Sequence, residues 1–156
     1  MASQTPKELF DLGMLSYDKQ DFSKARKYFE KACDLNNGGG CGNLGVLYQN
    51  GQVVEKDLTK AAYFYAKACD LNNGGGCATL GMLYEDGQGV GEDLTKATQL
   101  YSKACDLNNG GGCGALGMLY EDGQGVEKNL TKAAYFYSKA CKLGFQKTCE
   151  ILKELK

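Results

Sequence analysis

Histidine and tryptophan are absent from this sequence of 156 residues, and proline occurs once. Without histidine the chain lacks the commonest general base and metal ligand, and it cannot form a Ser-His or Cys-His nucleophile pair. Most enzyme classes therefore become poor candidates. The charges nearly balance, with 18 Lys and Arg against 19 Asp and Glu, so we expect no nucleic-acid surface.

Long apolar runs are missing as well. No segment approaches the ~20 apolar residues that a bilayer span needs, and the N-terminus has no basic stretch followed by an apolar core. We therefore expect no membrane insertion. The length and a hydrophobic fraction of 43% are typical of one compact domain, which we place at 1–156.

Cysteine and glycine are abundant, with 8 and 22 copies, and their spacing reveals a repeat. The cysteines form pairs separated by 8 residues, and successive pairs are 36 residues apart. These residues are Cys33, Cys41, Cys69, Cys77, Cys105, Cys113, Cys141 and Cys149. Residues 69–104 and 105–140 agree at 28 of 36 positions, so the sequence is a tandem array.

Each repeat contains two apolar stretches with helical spacing, which predicts a helical hairpin. Gly51 is placed to end a first helix, and Asp57 is placed to cap the following second helix. We interpret the glycine triplets that start at Gly38, Gly74 and Gly110 as tight linkers before the first helices. The predicted hairpins cover about 5–36, 41–72, 77–108 and 113–144, and a capping helix covers 147–156.

The first hairpin resembles a tetratricopeptide repeat in its residues Leu9, Leu12, Gly13, Tyr17, Ala25, Phe29 and Ala32. The other three resemble its longer-looped relative, the Sel-like repeat. Their motifs LGxLYxxGQxV and DLTKAxxxYxKAC, joined by CDLN, are similar to those of Helicobacter-type cysteine-rich proteins over nearly the whole chain. The resemblance implies an all-α fold, a right-handed α/α solenoid. Repeats this alike indicate either recent duplication or an idealised consensus sequence, which would need no natural ligand.

Three interpretations of the cysteines compete: a zinc site, free structural thiols and disulfides. Zinc is disfavoured because the pairs are widely spaced and histidine is absent, and packing alone explains a strict pair per repeat poorly. Pairing each cysteine backward within its own hairpin would leave Cys33 and Cys149 without partners. We therefore expect bridges between cysteines that are 8 residues apart, and an oxidising compartment, secreted or periplasmic.

A solenoid of hairpins lines its concave groove with first helices. The tetratricopeptide groove positions, counted from each repeat's glycine, give Phe10, Met14, Tyr17, Asn43, Val46, Asn50, Thr79, Met82, Glu85, Asp86, Met118, Glu121 and Asp122. An apolar row is flanked there by carboxylates, which favours an extended, positively charged protein or peptide ligand with apolar side chains. The alternative is that the row packs the next helix and the acids only solvate it. We expect Glu85 and Glu121 to lie off the core face.

The predicted function is a monomeric, non-enzymatic binding scaffold with no metal, cofactor or catalytic residue. A peptidoglycan fragment is a further candidate ligand. The family resemblance also carries an alternative, penicillin binding with weak β-lactamase activity. Ser16-Tyr17-Asp18-Lys19 matches the S-x-x-K motif of penicillin-recognising serine enzymes, although neither S-D-N nor K-T-G accompanies it.

Overall fold

The computed structural model describes residues 3–155, so Met1, Ala2 and the last residue of the predicted cap, Lys156, lie outside it. Within that range the chain forms nine α-helices and no strand. The helices are α1 (Pro6–Asp18), α2 (Phe22–Asp34), α3 (Gly38–Asn50), α4 (Leu58–Asp70), α5 (Gly74–Asp86), α6 (Leu94–Asp106), α7 (Gly110–Asp122), α8 (Leu130–Lys142) and α9 (Gln146–Glu154). The all-α prediction is confirmed.

The ends of the helices follow from capping side chains. The Oδ1 atoms of Asp57, Asp93 and Asn129 accept hydrogen bonds from backbone amides three residues later, at 2.9–3.0 Å. These bonds satisfy donors that have no partner inside the helix. Gly51 and Gly123 end α3 and α7 with φ values of 66° and 68°, a left-handed conformation that glycine adopts without a steric cost.

The glycine triplets are the first turns of first helices, so the interpretation of them as linkers was wrong. Asn37 caps α3 by accepting a hydrogen bond at Oδ1 from the amide of Gly40, at 2.7 Å. A Cβ atom on Gly40 would lie only 2.8 Å from the Cβ of Ala32 on α2. Glycine is therefore required by the close approach of two helices, and the N-cap compensates for its low helix propensity.

The chain divides into two compact units, one ending at Gly76 and the other beginning at Cys77. In unit 1, Ala25 and Phe29 of α2 pack with Leu44 and Leu47 of α3. In unit 2, the corresponding core cluster consists of Ala97, Tyr101, Leu116 and Leu119. The core of each unit thus joins the second helix of one hairpin to the first helix of the next.

Candidate functional site

The predicted groove positions of unit 2 lie on α5 and α7, and two of them are strongly exposed apolar side chains. Met82 and Met118 are each 53% exposed, although they occupy the middle of helices whose opposite sides are buried. Asp86 and Asp122 follow them by four residues, so each lies on the same side of its helix as the methionine. We use the name acidic face for the equivalent sides of α5 and α7, which carry Met82, Glu85, Asp86, Met118, Glu121 and Asp122.

Glu85 and Glu121 also contact the second helices, and these contacts were not predicted from the sequence. The hydroxyl of buried Tyr101 on α6 donates a hydrogen bond to Oε1 of Glu85 at 2.6 Å. Tyr137 on α8 donates in the same way to Oε1 of Glu121, at 2.5 Å. The expectation that these glutamates lie off the core face was therefore incomplete, because each is tied to a core tyrosine.

Burial and the neighbouring carboxylates hold the tyrosines in their protonated form. Burial, the bond to Glu85 and the charges of Glu85 and Asp86 raise the pKa of Tyr101 well above its ordinary value. The pKa of Tyr137 is raised by the same kinds of cause. Both hydroxyls thus remain hydrogen-bond donors at neutral pH, and each fixes the position of one carboxylate of the acidic face.

The ends of α5 and α7 concentrate negative charge on the acidic face. Asp86 and Asp122 are exposed and are the last residues of their helices. A helix carries partial negative charge at its C-terminus, so the aspartates add to a potential of the same sign. The arrangement can attract a cation, with exposed methionines available beside it for apolar contact.

The groove positions of unit 1 are more tightly packed than those of unit 2. Met14 packs against the core, and its Sδ accepts a hydrogen bond from Nδ2 of Asn43 at 3.4 Å. Phe10 packs against the same core, and the hydroxyl of Tyr17 donates to Oε1 of Gln52 at 3.2 Å. Asn50 is exposed, whereas Val46 is partly buried.

An amide, Gln49, replaces the glutamate at the corresponding place in unit 1. Tyr65 donates its hydroxyl proton to Oε1 of Gln49, the position that Glu85 and Glu121 hold in unit 2. Burial alone raises the pKa of Tyr65, to about 12. The three later hairpins therefore share a tyrosine bond between their two helices, while the acceptor changes from amide to carboxylate. Thr79 on α5, another of the predicted groove positions, is partly buried.

Disulfide bonds join cysteines at the boundaries between hairpins. Cys33–Cys41, Cys105–Cys113 and Cys141–Cys149 are bonded, each with a sequence separation of 8. Cys69 and Cys77 are also disulfide-bonded, and no cysteine of residues 3–155 is free. The second helix of the next hairpin covers the first bridge, because Ala68 packs against it.

The S-x-x-K motif is poorly arranged for nucleophilic chemistry. The Ser16 hydroxyl donates to the carbonyl oxygen of Leu12 at 2.9 Å, and the residue is only 7% exposed. Ser16 and Lys19 line a cavity of about 120 Å³, which is smaller than the ~300 Å³ at which small-molecule sites usually begin. Ser16 therefore acts here as a helix residue that bonds to its own backbone.

Other kinds of site find little support in the described residues. Residues 3–155 contain no group of three or more His, Cys, Asp or Glu side chains that could hold a metal ion. None of the helices in this part of the chain is both long and apolar enough to cross a membrane. The acidic face is thus the candidate site that combines exposed apolar surface with charge of one sign.

Comparison with protein families fits this architecture. A model of the Sel1 repeat matches residues 40–73, 76–109 and 112–145. The chain belongs to the Sel1 repeat family. A tetratricopeptide repeat model matches residues 6–38, which contain the shorter-looped first hairpin.

Three known proteins show how far the similarity reaches. HcpC of Helicobacter pylori, named as a candidate beta-lactamase, is 64% identical over 56 residues, which are 36% of this chain and 19% of HcpC. The structure of Helicobacter pylori cysteine-rich protein B is 44% identical, with a TM-score of 0.69, and the match covers 85% of this chain and 96% of that one. A Sel1 repeat protein from Oxalobacter formigenes has a TM-score of 0.87 at 27% identity, covering 96% of this chain and 63% of that one.

These matches establish the fold and the family. The Sel1 repeat protein is the same kind of repeat array, so the chain is an all-α repeat solenoid. The likeness to the Helicobacter cysteine-rich proteins is also established. The chain spans about a fifth of the length of HcpC, and the cysteine-rich protein B match extends over nearly all of that structure.

Proposed function

We propose that the acidic face binds an extended peptide or protein segment that carries both basic and apolar side chains. The observation that carries this proposal is the pair of half-exposed methionines, Met82 and Met118, beside four carboxylates. Repeat solenoids commonly use such helix faces to bind extended ligands. The scaffold itself is non-enzymatic and is stabilised by disulfides.

The balance of charge and apolar surface determines the ligand chemistry. The four carboxylates are those of Glu85, Asp86, Glu121 and Asp122, and no lysine or arginine occurs among the predicted groove positions. Their fields attract lysine and arginine side chains but repel a free C-terminal carboxylate. Apolar side chains of the ligand would lie on the methionines. The ligand is therefore an internal, basic segment and is not anchored by its C-terminus.

We also propose that the protein works in an oxidising compartment, secreted or periplasmic. All eight cysteines are disulfide-bonded, and such bonds persist outside the reducing cytosol. Ligands available in such a compartment include exported proteins and cell-wall fragments.

A titration with matched variants tests the binding proposal. A fluorescent, extended peptide containing lysine and leucine is titrated with the protein, and anisotropy reports binding. Exposed ion pairs contribute about 0.2–1 kcal/mol each, so we expect a micromolar or weaker Kd that rises with salt. Asp86→Asn with Asp122→Asn removes two charges from the acidic face and weakens binding.

The control removes two charges elsewhere in the same unit. Asp106→Asn with Glu127→Asn changes exposed residues that do not belong to the acidic face, and it has the same net charge as the test variant. Equal affinities of the two variants would show that only net charge matters. Unchanged binding in both variants would refute the proposal.

A second candidate function, β-lactam hydrolysis, is favoured by the S-x-x-K match and by the names of relatives such as HcpC. The geometry of Ser16 does not support it, because its hydroxyl donates to the carbonyl oxygen of Leu12 and the cavity that it lines measures only about 120 Å³. We expect Ser16→Ala to leave any β-lactam hydrolysis unchanged. Turnover that this substitution abolishes would establish the enzyme instead.

A further inference from the structure

Met82 and Met118 occupy the same position in two repeats, and both present their side chains to solvent. Each is the ninth residue of a helix that begins with three glycines, and each is 53% exposed. Exposed methionine sulfur is the usual target of two-electron oxidants, whereas buried sulfur reacts slowly. The two residues therefore differ from the core side chains on the opposite sides of α5 and α7.

Met14 provides an internal comparison. It belongs to the same set of groove positions, but it packs against the core cluster of unit 1. Its Sδ also accepts a hydrogen bond from Nδ2 of Asn43, which occupies a sulfur lone pair. Both features slow attack by the sulfur on an oxidant. The same residue type is thus protected in one unit and accessible in the other.

From this contrast, together with the proposed function of the acidic face, we propose that Met82 and Met118 are oxidative modification sites that control apolar contact on that face. A peroxide is the class of oxidant. The sulfur lone pair attacks one peroxide oxygen, an S–O bond forms and the O–O bond breaks. The sulfur gives up two electrons, and the remaining peroxide oxygen leaves as water after proton transfer.

The product changes the surface without changing the core. A sulfoxide replaces a polarizable apolar group with a polar, hydrogen-bond-accepting one. The carboxylates remain, so attraction to basic side chains persists, whereas the gain from apolar side chains is lost. Oxidation would therefore convert a mixed apolar and acidic surface into a purely polar one and reduce its selectivity for apolar ligands.

Residue-resolved mass spectrometry tests the modification directly. The folded, disulfide-bonded protein is treated with hydrogen peroxide, and sulfoxide formation is followed in the fragments containing Met14, Met82 and Met118. We expect Met82 and Met118 to oxidise at similar rates, at least about fivefold faster than Met14, because rates follow accessibility. Equal rates at all three residues, or fastest oxidation of Met14, would overturn the inference.

A binding measurement then separates this inference from the proposed function. Two peptides are compared, one with lysine and leucine and one with serine in place of each leucine. Oxidation should lower the affinity for the leucine peptide about fivefold or more and leave the affinity for the serine peptide nearly unchanged. Methionine sulfoxide reductase should restore binding of the leucine peptide. A variant with Met82→Leu and Met118→Leu has no sulfur at either position, so peroxide should leave its own affinity for the leucine peptide unchanged.

The possible failures are distinguishable. If neither peptide binds the unoxidised protein, the proposed function is refuted, and the mapped rates alone decide whether the modification site exists. If the leucine peptide binds and oxidation of both methionines leaves its affinity unchanged, control of apolar contact by these residues is refuted. If the leucine variant loses binding only after peroxide treatment, the sensitive residue lies elsewhere, which also overturns the inference.

Discussion

Single residues connect the acidic face to the core. Glu85 and Glu121 supply charge to the surface, and each also accepts a hydrogen bond from a buried tyrosine hydroxyl. A bond to a charged group contributes about 1.5–3 kcal/mol when it is well shielded, and less near water. Stability and surface charge are therefore coupled at these two positions, whereas Asp86 and Asp122 are exposed and contribute mainly charge.

Substitutions at Glu85 and Tyr101 should separate the contribution to stability from the contribution to surface charge. We expect Tyr101→Phe and Glu85→Lys each to lower the free energy of unfolding by about 1–2 kcal/mol, because each removes the bond between α5 and α6. Asp86→Lys, a neighbouring exposed change, should alter it by less than about 0.5 kcal/mol. Denaturant titration measures all three. A Glu85→Lys variant with an unchanged free energy of unfolding would contradict the structural role of this carboxylate.

The buried tyrosines should make the free energy of unfolding fall at alkaline pH. The folded-state pKa of Tyr65 is raised from 10.0 to about 12, and those of Tyr101 and Tyr137 are raised in the same direction. The unfolded state therefore releases these protons first, so their contribution to stability is complete below about pH 10 and is lost as the pH rises through the folded-state values.

The measurement is the free energy of unfolding between pH 8 and pH 12. We expect a decline that starts near pH 10 and that becomes shallower in a variant with Tyr101→Phe and Tyr137→Phe. A profile that stays flat to pH 12, or an equally steep decline in the variant, would show that these hydroxyls do not govern alkaline stability.

The hydrogen bonds of the buried tyrosines were not predicted from the sequence. Tetratricopeptide groove positions are assigned from one helix at a time, so they place Glu85 on the surface without reference to α6. A signal was present, because the acceptors Gln49, Glu85 and Glu121 each precede a tyrosine by 16 residues. That spacing acquires meaning only when the two helices of a hairpin are known to be adjacent.

At the scale of helices, close approach explains the glycine triplets. The Cβ positions on Gly40 and Gly112 lie 2.8 Å and 2.6 Å from the Cβ atoms of Ala32 and Ala104. A side chain at either position would force the first helix of one hairpin away from the second helix of the preceding hairpin. Each triplet therefore determines how closely successive hairpins pack.

Alanine substitution tests this packing. We expect Gly40→Ala and Gly112→Ala each to lower the free energy of unfolding by about 1–3 kcal/mol through overpacking. Gly91→Ala is the control, since no atom outside its chain neighbours lies within 4 Å of the added Cβ. It should be neutral or slightly stabilising. Stabilisation by Gly40→Ala and Gly112→Ala, which the higher helix propensity of alanine alone would give, would show that close contact does not require these glycines.

The disulfides should stabilise the junctions between hairpins. A closed loop of about 9 residues corresponds to roughly 2.6 kcal/mol in the chain-entropy model, before strain is considered. We therefore expect Cys33→Ala with Cys41→Ala to lower stability by up to about 2.6 kcal/mol. The native protein should not react with Ellman's reagent, and reactive thiols in the unreduced protein would contradict the bonding.

Helices were predictable from the sequence because the apolar residues recur with helical spacing and the capping residues stand at the ends. The first turns of α3, α5 and α7 were not, since three consecutive glycines have low helix propensity. Packing against small residues such as Ala32 decides their conformation, and the identity of that neighbour depends on the tertiary fold. The interpretation as linkers failed for this reason.

Across the whole chain, the two units present different chemistry at equivalent positions. Unit 2 carries Glu85 and Glu121 where unit 1 carries Gln49, and its methionines are more exposed than Met14. The residue types at these predicted groove positions could be read from the sequence. The exposure of their side chains could not be predicted, because the packing of Met14 depends on contacts with Asn43 and the core.

Methionine methyl groups provide the most direct test of the proposal that a basic, apolar segment binds to the acidic face of unit 2. The protein is labelled with ¹³C at its methionine methyls and titrated with the peptide containing lysine and leucine, while NMR records each resonance. We expect progressive shifts of Met82 and Met118, little change at Met14, and smaller shifts at high salt. Binding that shifts Met14 and leaves Met82 and Met118 unchanged would contradict the proposal.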